Sequence, residues 1–221
     1  MIDKLEADGI NLQFGGRKIL SDIYLKCETG RITGLLGRNG SGKTSLMNII
    51  VGNLSAHNKS VRFNNHCVSP AFNIPDLIVY LPQFNYIPNG LTIKRIFSDF
   101  NIDFSLFENL FPEFALKYSC SFKHLSGGQR RLVEIYVLIK SSSKFVLLDE
   151  PFSHLNPIVV DAIKALIVEE KTNKGFLITD HMYSHIIELS DDFYVLTEGK
   201  THLTKSIQDL EWFGYAPAFR S

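Results

Sequence analysis

Arg31-Ile32-Thr33-Gly34-Leu35-Leu36-Gly37-Arg38-Asn39-Gly40-Ser41-Gly42-Lys43-Thr44 decides the fold. Its first half reads as a buried strand, and from Gly37 it fits the pattern G-x-x-x-x-G-K-[ST]. Glycines let such a loop wrap closely around an anion, so that successive backbone N–H groups converge on phosphate oxygens. Lys43 is placed to reach the β- and γ-phosphates of a nucleotide, and the Thr44 hydroxyl to ligate Mg²⁺. Thr44, Ser45 and the residues up to Val51 read as an amphipathic helix. Its N-terminal dipole favours the negative charge held by the loop. The stretch from 37 to 45 therefore predicts a nucleoside triphosphate site inside an α/β domain.

Two further stretches extend this chemistry. Phe145-Val146-Leu147-Leu148 is an apolar run ending in Asp149-Glu150. It reads as a buried strand whose carboxyl end carries two acids, at the edge where open α/β sheets place their ligands. Asp149 would hold the magnesium, directly or through water, and Glu150 would polarise an attacking water as general base. Two solvated acids at a strand end are the plainer reading. Leu125-Ser126-Gly127-Gly128-Gln129 is a second glycine-rich segment, opening a predicted helix over 127–139. Its backbone donors suit a second phosphate clamp.

In this order the motifs resemble the nucleotide-binding subunit of an ATP-binding cassette (ABC) system, from Leu5 to about Leu203. The resemblance implies ATP and Mg²⁺ as ligands, with ATP hydrolysed to ADP and phosphate. It places Phe14 where an aromatic stacks on adenine. Gln83, in Tyr80-Leu81-Pro82-Gln83, matches the glutamine that senses Mg²⁺ and water and abuts a membrane partner. His181, in Thr179-Asp180-His181, matches the histidine that contacts the γ-phosphate. Leu125–Gln129 matches the signature motif, through which two copies pair head to tail. Ser126, Gly127, Gly128 and Gln129 of one copy then face the ATP held by the other's phosphate loop. The implied fold is an ABC-type P-loop NTPase: a mostly parallel sheet flanked by helices, N-terminal antiparallel strands and a small helical subdomain.

The implied partners are a second cassette subunit, forming a homodimer since one chain holds the complete set, and a separate transmembrane permease. The implied location is peripheral, on the cytoplasmic face of the membrane. Arg130-Arg131-Leu132-Val133-Glu134-Ile135, Asp149-Glu150-Pro151-Phe152 and Leu177-Ile178-Thr179-Asp180-His181 look like the branch of lipopolysaccharide-export and branched-chain amino-acid ATPases. A soluble cassette ATPase that assembles a cytosolic complex, such as an iron–sulfur type, is the alternative, and a non-hydrolysing nucleotide switch a third.

Single residues keep duller readings. Phe14 ends the alternating Ile10-Asn11-Leu12-Gln13-Phe14, so it is either core or a stacking platform. Gln83 is otherwise an ordinary loop residue after Pro82. His181 and His185 stand at a spacing that zinc sites use, but no third ligand is apparent. One departure from the family stands in Ser153-His154-Leu155-Asn156-Pro157, where Asn156 replaces the usual aspartate. Asparagine is a strong helix N-cap and Pro157 suits the first helical position. Loss of the charge points to altered coupling between paired sites, with binding and dimerisation retained.

Composition limits the alternatives. The chain has 221 residues, 45% of them hydrophobic, enough for one large α/β domain. Lys+Arg and Asp+Glu both number 23, so net charge offers no general attraction to nucleic acid or to an anionic membrane surface. No apolar run is long enough to span a bilayer, and the mixed N-terminus does not read as a signal peptide, so no direct membrane insertion is expected. Cys27, Cys67 and Cys120 are too few and too dispersed for a disulfide framework or metal pattern, as in a reducing compartment.

Along the chain, residues 5–14 and 19–27 read as a strand pair turning at Gly15-Gly16, with short strands at 61–63 and 77–81. A loop is expected over 69–75. Strands at 145–148, 176–179 and 193–196 alternate with helices at 157–170 and 182–189, the pattern of a parallel sheet. Glu198-Gly199 reads as a hairpin turn. A core of residues 1–84 and 143–205, a helical subdomain over 85–142 and a tail over 206–221 follow. Phe97, Phe100, Phe104, Phe107, Phe111, Phe114 and Tyr118 form a stripe at helical spacing, interrupted by Pro112 and by a cap at Asn101-Ile102-Asp103. The stripe predicts two or three short helices. It is either packed core or, at one edge and with Phe84 and Tyr86, a groove for a partner's helix.

Overall fold

A computed structural model describes residues 2–68, 70–204 and 207–215. Strand β1 (Lys4–Phe14) pairs antiparallel with β2 (Arg17–Glu28) through Gly15 and Gly16, both at positive φ. On its other side β1 pairs with β4 (Asn58–Phe63), and β5 (His66–Cys67) completes a four-stranded sheet of order β2-β1-β4-β5. Asn64 and Asn65, at φ 48° and 70°, form the tight turn before β5, a use of asparagine that spacing alone did not reveal.

The second sheet has six strands in the order β10-β9-β3-β8-β7-β6. Strands β3 (Ile32–Leu36), β6 (Ile78–Leu81), β7 (Phe145–Asp149), β8 (Gly175–Thr179) and β9 (Asp192–Thr197) are parallel, and β10 (Lys200–Thr204) returns antiparallel through Glu198-Gly199. Three of these strands, β3, β7 and β8, are buried at every position. Continuous apolar runs are what a sheet covered on both faces demands.

Alternation along the strands divides the interior into two layers. Phe145 and Leu147 face the antiparallel sheet and helix α1 (Lys43–Val51). Val146 and Leu148 face the opposite layer, with α4 (Gly127–Lys140), α5 (Pro157–Glu170) and α6 (Tyr183–Leu189). The period of two in side-chain direction makes one strand serve both layers. The expected helix over 182–189 starts one residue later, with Met182 as its cap. Within the expected loop over 69–75, Ala71–Asn73 forms a short 3₁₀ turn, while Ser69 lies outside the described residues.

The aromatic stripe resolves into α2 (Ile93–Asp99), α3 (Phe104–Leu110) and a 3₁₀ turn at Pro112–Phe114. Asp103 caps α3 by accepting from Ser105 N at 2.9 Å, as the intervening segment predicted. The rings pack inward on one another and on Tyr136 of α4. Phe107 stands with its centroid 4.7 Å from both Phe114 and Tyr136, and Phe97 lies 5.1 Å from Phe104. Phe107 and Phe114 are fully buried. Most of the stripe is therefore packed core, continuous with the layer beneath β7, with Phe100 partly buried and Tyr118 exposed at its edge; the groove walled by Phe84 and Tyr86 is lined by other residues. In the tail, α7 (Ile207–Trp212) follows β10, and residues 216–221 lie outside the described residues.

Candidate functional site

Residues 37–42 connect the carboxyl end of β3 to α1. Gly42 caps that helix at φ 107°, a left-handed conformation that glycine adopts without penalty. A Cβ there would also crowd the Leu20 and Ile19 side chains at 3.0–3.1 Å. Lys43 is buried and donates from Nζ to Gly37 O at 2.7 Å and Arg38 O at 3.2 Å. Ser41 N donates to Arg38 O, closing the loop. Burial pushes the Lys43 ammonium down, and the nearby Glu150, Asp149 and Asp180 oppose that shift. The loop holds its lysine folded against its own carbonyls, with three carboxylates to keep the charge.

The cavity beside this loop measures about 580 Å³. Its walls are the expected residues Asn39, Gly40, Lys43, Thr44 and Ser45 from the loop and α1, Gln83 from the end of β6, and Glu150 and His181 from the ends of β7 and β8. Phe14, at the end of β1, stands on the rim and is 52% exposed. An exposed ring on the rim of a polar cavity is not packed core, and it is free to meet a flat ligand there.

Asp149 is fully buried at the end of β7, while Glu150 follows at φ 51° and continues the ladder by donating N–H to Thr179 O at 2.8 Å. A glutamate held in the left-handed region is uncommon and carries backbone strain of order 1 kcal/mol or more. The turn aims its carboxylate into the cavity. Burial pushes the Asp149 carboxyl up, opposed by hydrogen bonds from Thr44, Tyr80 and Gln83 and by the Lys43 charge. His181 Nδ1 lies 3.8 Å from Glu150 Oε2, 3.4 Å from Asp180 Oδ1 and 3.5 Å from Ser153 Oγ. His185 instead packs its ring against Phe152, at 5.3 Å between centroids.

The Gln83 amide gathers the site. Its Nε2 donates to Thr44 Oγ1 at 2.9 Å, Glu150 Oε1 at 3.1 Å and Asp149 Oδ1 at 3.4 Å. Three oxygens, one from α1 and two from the end of β7, thus converge around one electropositive group. That donor set suits a hard cation, which takes oxygen ligands. Among the described residues no group of three or more His, Cys, Asp or Glu forms a self-contained metal site. Mg²⁺ is commonly held by one or two protein oxygens together with nucleotide phosphates, so the donors present fit it.

Several functional contacts escaped the sequence reading. Tyr80 OH donates to Asp149 Oδ2 at 3.2 Å and accepts from Asn48 Nδ2 at 3.2 Å. Arg131, buried on α4, donates to Pro82 O at 2.6 Å, Asp149 O at 2.9 Å and Glu150 O at 3.0 Å. Glu134, one helical turn on, accepts from Tyr86 N at 2.9 Å and Ile87 N at 3.1 Å. Burial pushes the Glu134 carboxyl up, while these backbone donors and Arg131 hold it down. A signal was present: two charges three apart inside the apolar run of α4 require partners.

The second glycine-rich segment lies apart from this cavity. Ser126 caps α4 in a capping box, accepting from Gln129 N while Gln129 Oε1 accepts from Ser126 N, both at 3.2 Å. Gly127 lines a cleft that also touches Gln83 and Glu150. Ser126, Gly128 and Gln129 line another, shared with Asn156. Asn156 caps α5 by accepting from Val159 N at 2.9 Å. One chain therefore presents the phosphate loop and the segment 125–129 as separate surfaces. Beside Gln83 a further groove of about 290 Å³ runs between α1 and β6, with Phe72, Tyr80, Phe84 and Tyr86 among its walls.

The profile of the ABC transporter family matches residues 20–153. A probable ABC transporter ATP-binding protein of Azorhizobium caulinodans is 35% identical over 215 residues, covering 88% of this chain and 74% of that protein. The lipopolysaccharide export system ATP-binding protein LptB of Haemophilus influenzae is 32% identical over 211 residues, covering 89% of this chain and 88% of that one. Among solved structures, the ATP-binding subunit of an ABC transporter superimposes with a TM-score of 0.79 at 21% identity, covering 97% of this chain and 95% of that one. That last likeness speaks for the fold.

Proposed function

Because the chain belongs to the ABC transporter family, whose ATP-binding subunits hydrolyse ATP to drive transport, we propose how its residues divide that work. The soluble assembly ATPase is not favoured, since the curated relatives are ATP-binding proteins of ABC transporters. The observation that carries the assignment is the convergence of Lys43, Thr44, Gln83, Glu150 and His181 on one cavity, with Asp149 buried beneath it.

The loop amides of Gly37, Arg38, Asn39, Gly40, Ser41 and Gly42 cradle the β- and γ-phosphates, and Lys43 turns from its own carbonyls to them. Phe14 stacks on the base. Thr44 and Asp149, with the Gln83 amide turned to present its Oε1, would hold Mg²⁺, which would supply neutralisation of charge on the phosphate oxygens. Glu150 accepts a proton from the attacking water. As the new P–O bond forms, the bond from the γ-phosphorus to the bridging oxygen breaks, leaving ADP and phosphate. His181 steadies the transferring group from the opposite wall.

Ser126, Gly127, Gly128 and Gln129 act on the ATP of a second copy, so the working unit is a homodimer that closes on two ATP and opens after hydrolysis. The groove beside Gln83 receives a segment of a transmembrane permease, which holds the chain at the cytoplasmic face of the membrane. No helix among the described residues is long and apolar enough to cross a bilayer. The permease of such systems, and not this chain, selects the substrate.

Glu150→Gln tests the assignment. It should lower turnover by about 10²–10⁴-fold, the usual contribution of a general base. ATP binding should persist, and light scattering should show a doubled mass when ATP is added. Turnover within twofold of wild type would reject Glu150 as the base.

A further inference from the structure

Tyr80 belongs to two sites at once. Its ring walls the groove between α1 and β6, together with Asn48 and Asn53. Its hydroxyl leaves that groove and donates to Asp149 Oδ2 at 3.2 Å, against a carboxylate with no solvent exposure. Asn48 orients the hydroxyl from the other side, because its amide nitrogen is fixed at 2.8 Å on Thr44 O and reaches Tyr80 OH at 3.2 Å. Asn53, at the groove mouth, adds a longer contact of 3.4 Å to Asn48 Oδ1. A continuous polar chain therefore runs from the groove surface to the buried carboxylate, through residues 53, 48, 80 and 149.

The phenol has no acid–base task at this position. It serves as a donor: its hydroxyl gives its one proton to Asp149 Oδ2 and accepts from Asn48 Nδ2. Asp149 carries the complementary need. One of its oxygens faces the Gln83 and Thr44 cluster, while the other accepts from Tyr80. A carboxylate anchored through one oxygen presents the other in a fixed direction, the usual manner in which outer hydrogen bonds orient a metal ligand.

We propose that Tyr80 is a positioning residue that sets the orientation of Asp149 toward the divalent cation and makes that orientation sensitive to what occupies the groove. This rests on the reading of Asp149 as a metal ligand. A side chain seated in the groove bears on the Tyr80 ring directly. Movement of the ring moves the hydroxyl, and Asp149 must follow or lose a hydrogen bond inside a dry site.

The test uses the full chain with a non-hydrolysable ATP analogue and reads Mn²⁺ affinity by electron paramagnetic resonance. Tyr80→Phe keeps the ring and removes the hydroxyl. It should weaken Mn²⁺ by about tenfold, the lower range for loss of an outer-shell partner. Analogue affinity in EDTA should stay within twofold, which separates positioning from general damage. Asn48→Leu, which leaves Tyr80 intact but unsupported, should weaken Mn²⁺ in the same sense. Asn53→Trp, which fills the groove mouth, should shift Mn²⁺ affinity at least threefold in the wild-type background and leave it unchanged beside Tyr80→Phe. Wild-type Mn²⁺ affinity in Tyr80→Phe, with affinity lost in Asp149→Asn, would overturn the positioning role alone. Wild-type affinity in both variants would overturn it together with the metal role of Asp149. Equal shifts from Asn53→Trp in both backgrounds would overturn the link to the groove.

Discussion

Phe14 stands on the rim of the cavity beside the glycine-rich loop with half its surface open. Stacking of a base on an aromatic ring contributes about 1–3 kcal/mol. Phe14→Ala should therefore weaken ATP binding by about 5- to 150-fold, measured by calorimetry, while saturated turnover and melting temperature change little. An unaltered affinity would return the ring to an incidental role. Glu150 and Asp149 illustrate how neighbours in sequence receive different chemistry. Asp149 is sealed and held by three side-chain donors, whereas Glu150 turns through a left-handed residue into the cavity. One backbone rotation separates a sealed carboxylate from one that faces the cavity.

At the scale of elements, the helix termini carry the function. Helix α4 begins with a capping box at Ser126 and Gln129, which leaves the following backbone donors aimed outward. Its interior then reaches back to the ends of β6 and β7 through Arg131 and to the Tyr86–Ile87 backbone through Glu134. Helix α5 begins at Asn156, where the family commonly has aspartate. The cap explains why the substitution is tolerated structurally: Asn156 Oδ1 accepts from Val159 N as an aspartate oxygen does. Asn156→Asp should leave the melting temperature nearly unchanged and alter the rate or the Hill coefficient of ATP hydrolysis. Asn156→Ala should cost about 1 kcal/mol of stability through loss of the cap. Identical rate and cooperativity in Asn156→Asp would show that the missing charge is inconsequential.

For the molecule as a whole, the aromatic content is divided between two purposes. The rings of α2 and α3 seal the helical insertion against Tyr136 and are inaccessible. Phe84 and Phe72, by contrast, are 72% and 53% exposed around the groove beside Gln83. Exposed aromatics at a pocket rim are the usual anchors of a protein interface. Phe84→Ala should leave the melting temperature intact and weaken capture of the membrane partner in mild detergent by tenfold or more. Retention of the partner would move the docking surface elsewhere. Since Gln83 adjoins this groove and touches Thr44, Asp149 and Glu150, the groove and the cavity beside the glycine-rich loop share a thin wall.

Much of this protein was decided locally. The glycines from 37 to 42, the apolar run before Asp149 and the cap at Asn156 act over a few residues, so spacing alone determined the phosphate loop, the parallel strands and most of the helices. Only the tertiary structure decided the rest. Phe14 left the core because β1 ends beside an open cavity. The aromatic stripe entered the core because α4 offers Tyr136 to receive it. Tyr80, Asn48, Arg131 and Glu134 joined the site because folding brings their partners from distant segments, and no periodicity along a chain encodes such a hydrogen bond. Its cause is the burial of polar groups, which must find partners wherever the packed sheet and helices place them.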